Sequence, residues 1–242
     1  MRLSTISGLI KRRLLINYRA DPTVVQRLLP EGFRPQTQRG FAIVGMCLIR
    51  LEHMRPHGLP GFLGVSSENA AHRIAVESEH GLGVYIVRRD TDSRLNQLAG
   101  GRIFSSEHHM ARIEVTDGEG RIEYSLRSED GAFSVRVEAS EADALPPESC
   151  FASLAESSAF FEAGDRGYTP SPDGSRLDGL QLRTHGWRAR PLKVASLHSS
   201  YCEDPGNFPK GSIEYDHALV MRDIEHEWST VHAPEAASTV SQ

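Results

Sequence analysis

Lysine is almost missing from this chain. Its 242 residues hold three, Lys11, Lys193 and Lys210, so chemistry that needs an amine has few places to start. Cysteine is equally sparse. Cys47, Cys150 and Cys202 lie far apart and form no Cys-x-x-Cys pair, which argues against a disulfide framework and points to reduced thiols in the cytoplasm. Neither sign of charge dominates: the net charge is −5 and 24% of residues are charged. No basic stripe alternates with aromatics, so nucleic acid is not an expected partner. The opening MRLSTISGLIKRRLLINY is split by Lys11-Arg12-Arg13. It reads as a surface segment entering the first strand, not as a membrane span or signal peptide. There is no GxSxG elbow, phosphate loop or dinucleotide fingerprint. His53, His57 and His72 with Glu52 and Glu68 match no zinc spacing, and Pro56 and Gly58 oppose a helix between His53 and His57. His217, His226 and His232 are too dispersed to count. Neither a metal nor an organic cofactor is expected.

What is present is mostly strand. Hydrophobic residues make up 39% of the chain, ordinary for a globular protein. Leu14–Tyr18 reads as the first strand. Asp21–Leu29 reads as a short helix with Asp21 as cap, Pro22 at its first position and Val24, Val25, Leu28 and Leu29 as its apolar stripe. Phe41–Leu51 is a long apolar run suited to a buried strand, and Cys47 within it reads as core. Ala70–Val76 and Gly83–Arg89 pair as a hairpin. Thr91–Leu98 is a short helix, and the Gly-Gly-Arg turn at 100–102 follows it. Ala111–Thr116, Arg121–Arg127 and Phe133–Ala139 form a meander. Cys150–Phe161 looks helical, Gly164–Gly179 is a Gly/Pro/Asp/Ser-rich loop, and Gly179–Arg188, Lys193–Tyr201 and Ser212–Met221 are further strands. Gly58–Gly64 is a flexible loop and a candidate lid. One domain over 1–232 is expected, with a disordered tail over 233–242. Short strands with few helices suggest a barrel or sandwich.

Three landmarks in order carry a family resemblance: Tyr18-Arg19-x-Asp21 leading to Pro30-Glu31, Ser67-Glu68-Asn69, and Ala99-Gly100-Gly101-Arg102. Together they resemble the acetoacetate decarboxylase-like superfamily over roughly the first half of the chain, and residues 216–228 resemble the closing segment of its lysine-less relatives. The resemblance implies a mainly β protein whose curved antiparallel sheet forms a cone-like barrel with a central pocket. It also implies where the chemistry departs. Counting without a gap from Arg102, the position of the family's Schiff-base lysine falls on His109 and that of its second lysine on Met110. A histidine cannot form the iminium of a β-keto acid, so the chain resembles the lysine-less, uncharacterised branch.

The candidate catalytic residues are His109 and Glu68. A carboxyl buried without a cation becomes a usable acid, and an imidazole beside it can move protons near neutrality. For each, a purely structural role stays open, as a turn cap or a packed ring. Strand alternation means His108 and His109 cannot both face inward. Arg102 could hold a substrate carboxylate or brace a loop. Arg13, Glu107 and His72 complete the expected substrate-binding set, Arg13 because the superfamily's substrate-facing arginine lies near it. Two functions follow. One is a cytoplasmic enzyme of lyase, dehydratase or isomerase type, acting on an oxo-acid or polyketide-like carbonyl compound without a covalent intermediate. The other is a non-catalytic barrel that binds a small ligand. A small molecule is the expected partner in both, and self-association into a homo-oligomer is left open.

Overall fold

The computed structural model describes residues 5–99, 107–171, 176–231 and 233. The Gly-Gly turn with Arg102, and the expected tail beyond Ala233, lie outside them. Strand accounts for 60% and helix for 12%, so the alternation of side chains across strands governs almost every placement.

The frame is a wall of three long antiparallel strands. β1 (Thr5–Ala20) pairs with β4 (Phe41–Pro56), and β4 with β5 (Val65–Ser78). Lys11-Arg12-Arg13 therefore lies inside the first strand, not ahead of it. Two short edge strands, β2 (Arg34–Pro35) and β3 (Thr37–Gln38), flank the wall. The wall is buried on both faces, which is why Phe41–Leu51 reads as continuous apolar sequence without alternation. Leu14, Ile16, Val44, Met46 and Leu48 point to one side, while Leu15, Ile43, Cys47 and Ile49 point to the other.

The remaining strands close a ring. β5 pairs with β6 (Gly81–Thr91), which runs briefly parallel to β7 (His109–Gly118) through Asp90 and Thr91. A meander continues through β8 (Arg121–Ser128) and β9 (Ser134–Glu141). β9 pairs with β12 (Arg190–Ser199), β12 with β13 (Ile213–Val231), and β13 returns to β1. Nine strands thus join in a ring of hydrogen bonds. It is not a strict barrel. A hairpin of β10 (Arg166–Pro170) and β11 (Leu177–His185) spans from β6 to β13. On one side of the wall lies the ring interior, filled by Tyr124, Val137 and their neighbours. On the other lie the bridging hairpin and α3 (Leu154–Ala163).

The helices are short. α1 (Pro22–Gln26) starts where Asp21 accepts the N–H of Thr23, α2 spans Arg94–Ala99, α3 starts at the Ser153 cap, and α4 spans Ser200–Glu203. Among the described residues no helix is long and apolar enough to cross a membrane.

Candidate functional site

A cavity of about 130 Å³ opens between the wall and the bridging hairpin. Its volume is close to the roughly 150 Å³ known to admit a benzene-sized guest. Ile49, Leu51, Met54, Ile86, Leu182 and Trp228 give it apolar sides. Charge of both signs joins them: Arg13 on β1, Arg73 on β5 and Arg89 on β6, with Arg166, and the carboxylates Asp90 and Asp165. Cys47 on β4 sits among them.

The three arginines are held but not neutralised. Arg73 donates from Nη2 to Asn17 Oδ1 at 2.5 Å and lies over the Phe161 ring at 4.7 Å. Arg89 donates to Thr169 Oγ1 at 3.2 Å. Arg13 donates from Nε to Cys47 Sγ at 3.3 Å and lies 5.5 Å from the Trp187 ring centre. One buried nitrogen of each has no partner among the described residues: Arg13 Nη1, Arg73 Nε and Arg89 Nε. None of the three forms an ion pair with a described carboxylate, although eight other arginines do. Burial lowers the pKa of both Arg73 and Arg89 to about 10, which leaves them charged at neutral pH. Arg73, the buried member of the trio, holds its charge without a paired carboxylate at a cost in stability, and an anion in the cavity would offset it.

A buried polar network supports Arg73 from behind. Asn17 also donates to Nε2 of His217 at 3.2 Å, and Ser157 Oγ lies 2.7 Å from the same nitrogen. Nδ1 of His217 is 2.5 Å from Asp216 Oδ2. A carboxylate only accepts, so the ring proton sits on Nδ1 and Nε2 is the acceptor. Asp216 also accepts from Ser149 Oγ and the N–H of Cys150. Burial alone would raise its pKa, but these bonds outweigh burial and hold it below the usual range. Neighbouring strand residues normally point to opposite faces. Here a bulge between Asn17 and Tyr18 shifts the register, leaving Asp216 without a partner on β1. The sequence marks His217 only as one of three dispersed histidines and gives Asp216, Asn17 and Ser157 no role in a site, because a bulge gives no local sequence signal.

The expected site residues divide among several places. Arg13 lines the cavity. Glu68 and His72 do not: even-numbered positions of this part of β5 face the ring interior. Glu68 accepts from Arg12 Nη2 at 2.8 Å on each oxygen. Its premise of burial without a cation is therefore replaced by a buried ion pair; burial raises its pKa and Arg12 opposes the rise. His72 stacks between Phe133 and Tyr201, at 4.7 and 5.0 Å between ring centres. Burial and then Arg88 lower its pKa to about 3. His109 is half-buried beside Asp130, with 3.7 Å between Nδ1 and the carboxylate. Asp130 in turn pairs with Arg88, which also holds Asp90. Glu107 is exposed, and Arg102 lies outside the described residues. Of the two adjacent histidines, His108 lines the cavity. The Gly58–Gly64 segment forms a short 3-10 turn at Gly61–Leu63 and does not line it. The three lysines are exposed and none lines the cavity. Among the described residues no group of three His, Cys, Asp or Glu side chains is placed to hold a metal.

Comparison with known proteins places this geometry in a family. The model of DUF2071, described as an uncharacterized conserved protein, matches residues 10–210. No curated protein matches the chain. Among solved structures, the acetoacetate decarboxylase of Legionella pneumophila is similar with a TM-score of 0.63 at 13% identity, over 96% of this chain and 90% of that one. An acetoacetate decarboxylase-like enzyme from Sphingomonas wittichii RW1 is similar with a TM-score of 0.65 at 11% identity, over 97% and 95%. The enduracididine biosynthesis enzyme MppR, complexed with pyruvate, gives a TM-score of 0.56 at 12% identity, over 95% and 88%. At such identities the likeness is one of fold.

Proposed function

Because the chain belongs to the DUF2071 family and has the acetoacetate decarboxylase-like fold, we propose that it is a small-molecule enzyme acting on an oxo-acid without a lysine iminium. The observation that carries this reading is the trio Arg13, Arg73 and Arg89 around one cavity, Arg73 buried and the other two partly so, each with a buried nitrogen lacking a partner and none paired with a carboxylate among the described residues. A substrate carboxylate supplies the missing counter-charge, and guanidinium forks suit its two oxygens. The relatives support the choice of ligand, since one was solved with pyruvate. With the carboxylate on the arginines, the remainder of a three- or four-carbon acid reaches the apolar sides and His108. An imidazole there can take a proton from the carbon beside the carbonyl and return it. The reaction class is enolisation, extending to dehydration or a lyase step. The ungapped count that sets His109 and Met110 in the family's lysine places, and a cavity lining without any of the three lysines, support a lysine-less branch for the chain.

Pyruvate in D2O tests this by NMR. Catalysed exchange of the methyl protons, lost in His108→Ala, is the expected result. Arg73→Ala and Arg89→Ala should each weaken pyruvate binding about tenfold or more, the worth of one charge-assisted hydrogen bond. Borohydride should trap no adduct on a lysine. Binding without exchange would make the chain a ligand-binding protein, a reading favoured by the apolar sides of the cavity. No binding of any small oxo-acid would remove both.

A further inference from the structure

Cys47 is a nucleophilic cavity residue that the proton-transfer reading does not use. It lies on β4, where odd-numbered residues face the cavity, and its sulfur accepts the Arg13 Nε–H at 3.3 Å. Arg73 and Arg89 are both close enough to feel its charge. Their buried Nε atoms, like Arg13 Nη1, have no partner among the described residues. The other two cysteines have different surroundings. Cys150 is closed into the core next to Asp216, and Cys202 next to Tyr18 and Glu203; burial pushes each thiol up to about 12. The sequence gives no hint of the difference, because all three cysteines are buried and unpaired.

We propose that Cys47 is a nucleophile that reversibly captures small anionic aldehydes and oxo-acids entering the cavity. This rests on the reading of the cavity as an anion site. The carboxylate is held by the arginines, which brings the carbonyl carbon to the sulfur. The Sγ–C bond forms as the carbonyl π pair moves onto oxygen, and the thiol proton ends on that oxygen. The product is a hemithioacetal, or a hemithioketal from a ketone. Nothing is oxidised or reduced, and no other reagent is consumed. The donors that hold the carboxylate also stabilise the negative charge that passes from sulfur to oxygen during addition. Aldehydic acids such as glyoxylate should be favoured over pyruvate, because the aldehyde carbon is more open to attack.

The test uses the full chain and two alkylating probes of similar size. Iodoacetate carries a carboxylate and iodoacetamide does not. Peptide mapping by mass spectrometry should show Cys47 modified at least tenfold faster by iodoacetate, while Cys150 and Cys202 stay unmodified in the folded protein. Arg73→Met should abolish that preference. Carbon-labelled glyoxylate should give a new protein-bound carbon signal in NMR, and pre-incubation with it should slow alkylation. If iodoacetamide reacts as fast as iodoacetate, if Cys47 does not react, or if no carbonyl adduct forms, the proposal fails. Wild-type pyruvate binding separates the two readings. Binding with an inert Cys47 removes the nucleophile and leaves the oxo-acid site. A carboxylate-selective thiol that captures glyoxylate, without pyruvate binding or exchange, removes the oxo-acid enzyme and leaves the nucleophile.

Discussion

Arg12 and Arg13 are neighbours in sequence and live in opposite compartments. Arg12 is in the ring interior, paired with Glu68 at 2.8 Å and 3.5 Å from Asp117. Arg13 lines the cavity, with no carboxylate paired to it among the described residues. The first pair is structural. Glu68→Ala should cost about 3 kcal/mol in chemical denaturation, since it leaves a buried guanidinium short of its main partner, while pyruvate affinity changes less than twofold. Equal stability with lost affinity would return Glu68 to the site. Two buried histidines, one in the ring interior and one beside the cavity, set the pH response. Burial lowers His72 to about 3, and burial with Arg13 lowers His226 to about 4. Each takes a proton near 6.5 once the chain unfolds. Below that pH the unfolded state binds more protons, so stability is full above about pH 7 and falls as pH drops. The slope is up to about 1.4 kcal/mol per unit for each histidine until its folded value is reached. Thermal melts between pH 7 and 4.5 should show the fall, and His72→Phe should flatten it.

At the level of elements, close backbone approaches hold the bridging hairpin in place. A Cβ on Gly179 would sit 2.8 Å from the carbonyl oxygen of Val231, and one on Gly83 would sit 2.7 Å from that of Arg166. Gly179→Ala should cost about 2 to 3 kcal/mol, with amide exchange fastest in β10 and β11. Exchange unchanged there would mean the hairpin is not pinned by this contact. Much of the element plan is legible without coordinates. Asp21, Phe41–Leu51, the hairpin after Ser67 and the meander from Ala111 are marked by caps, apolar runs and turns. β10 is not: Arg-Gly-Tyr-Thr-Pro has turn composition and becomes a strand only through its pairing with β6 and β11. Nor does β1 read at full length, since its charged middle is accommodated by partners far away in sequence. The site is less legible than the fold. Arg13 and the presence of an inward histidine were readable, whereas Arg73, Arg89 and Cys47 were not. Which face a residue takes depends on bulges such as that between His72 and Arg73.

At the level of the whole molecule, β13 is the closing piece. It pairs with β1, β11 and β12 at once. Removing Ile213–Val231 should leave a chain without cooperative unfolding, read by circular dichroism, and with exposed apolar surface, read by dye binding. A compact, cooperatively melting fragment would mean that the wall and meander fold on their own.

That closure has a consequence for biosynthesis. The sixteen-residue β1 leaves the ribosome well before β13, and one of its two edges stays bare until that strand follows roughly 200 residues later. At about 5–20 residues per second the wait is about ten to forty seconds. During it a long apolar edge is open to neighbouring nascent chains on the same message. Slower translation should then raise the insoluble fraction, and a chaperone that shields strand edges should lower it. A soluble yield indifferent to both would mean that β4 alone keeps the early strand safe.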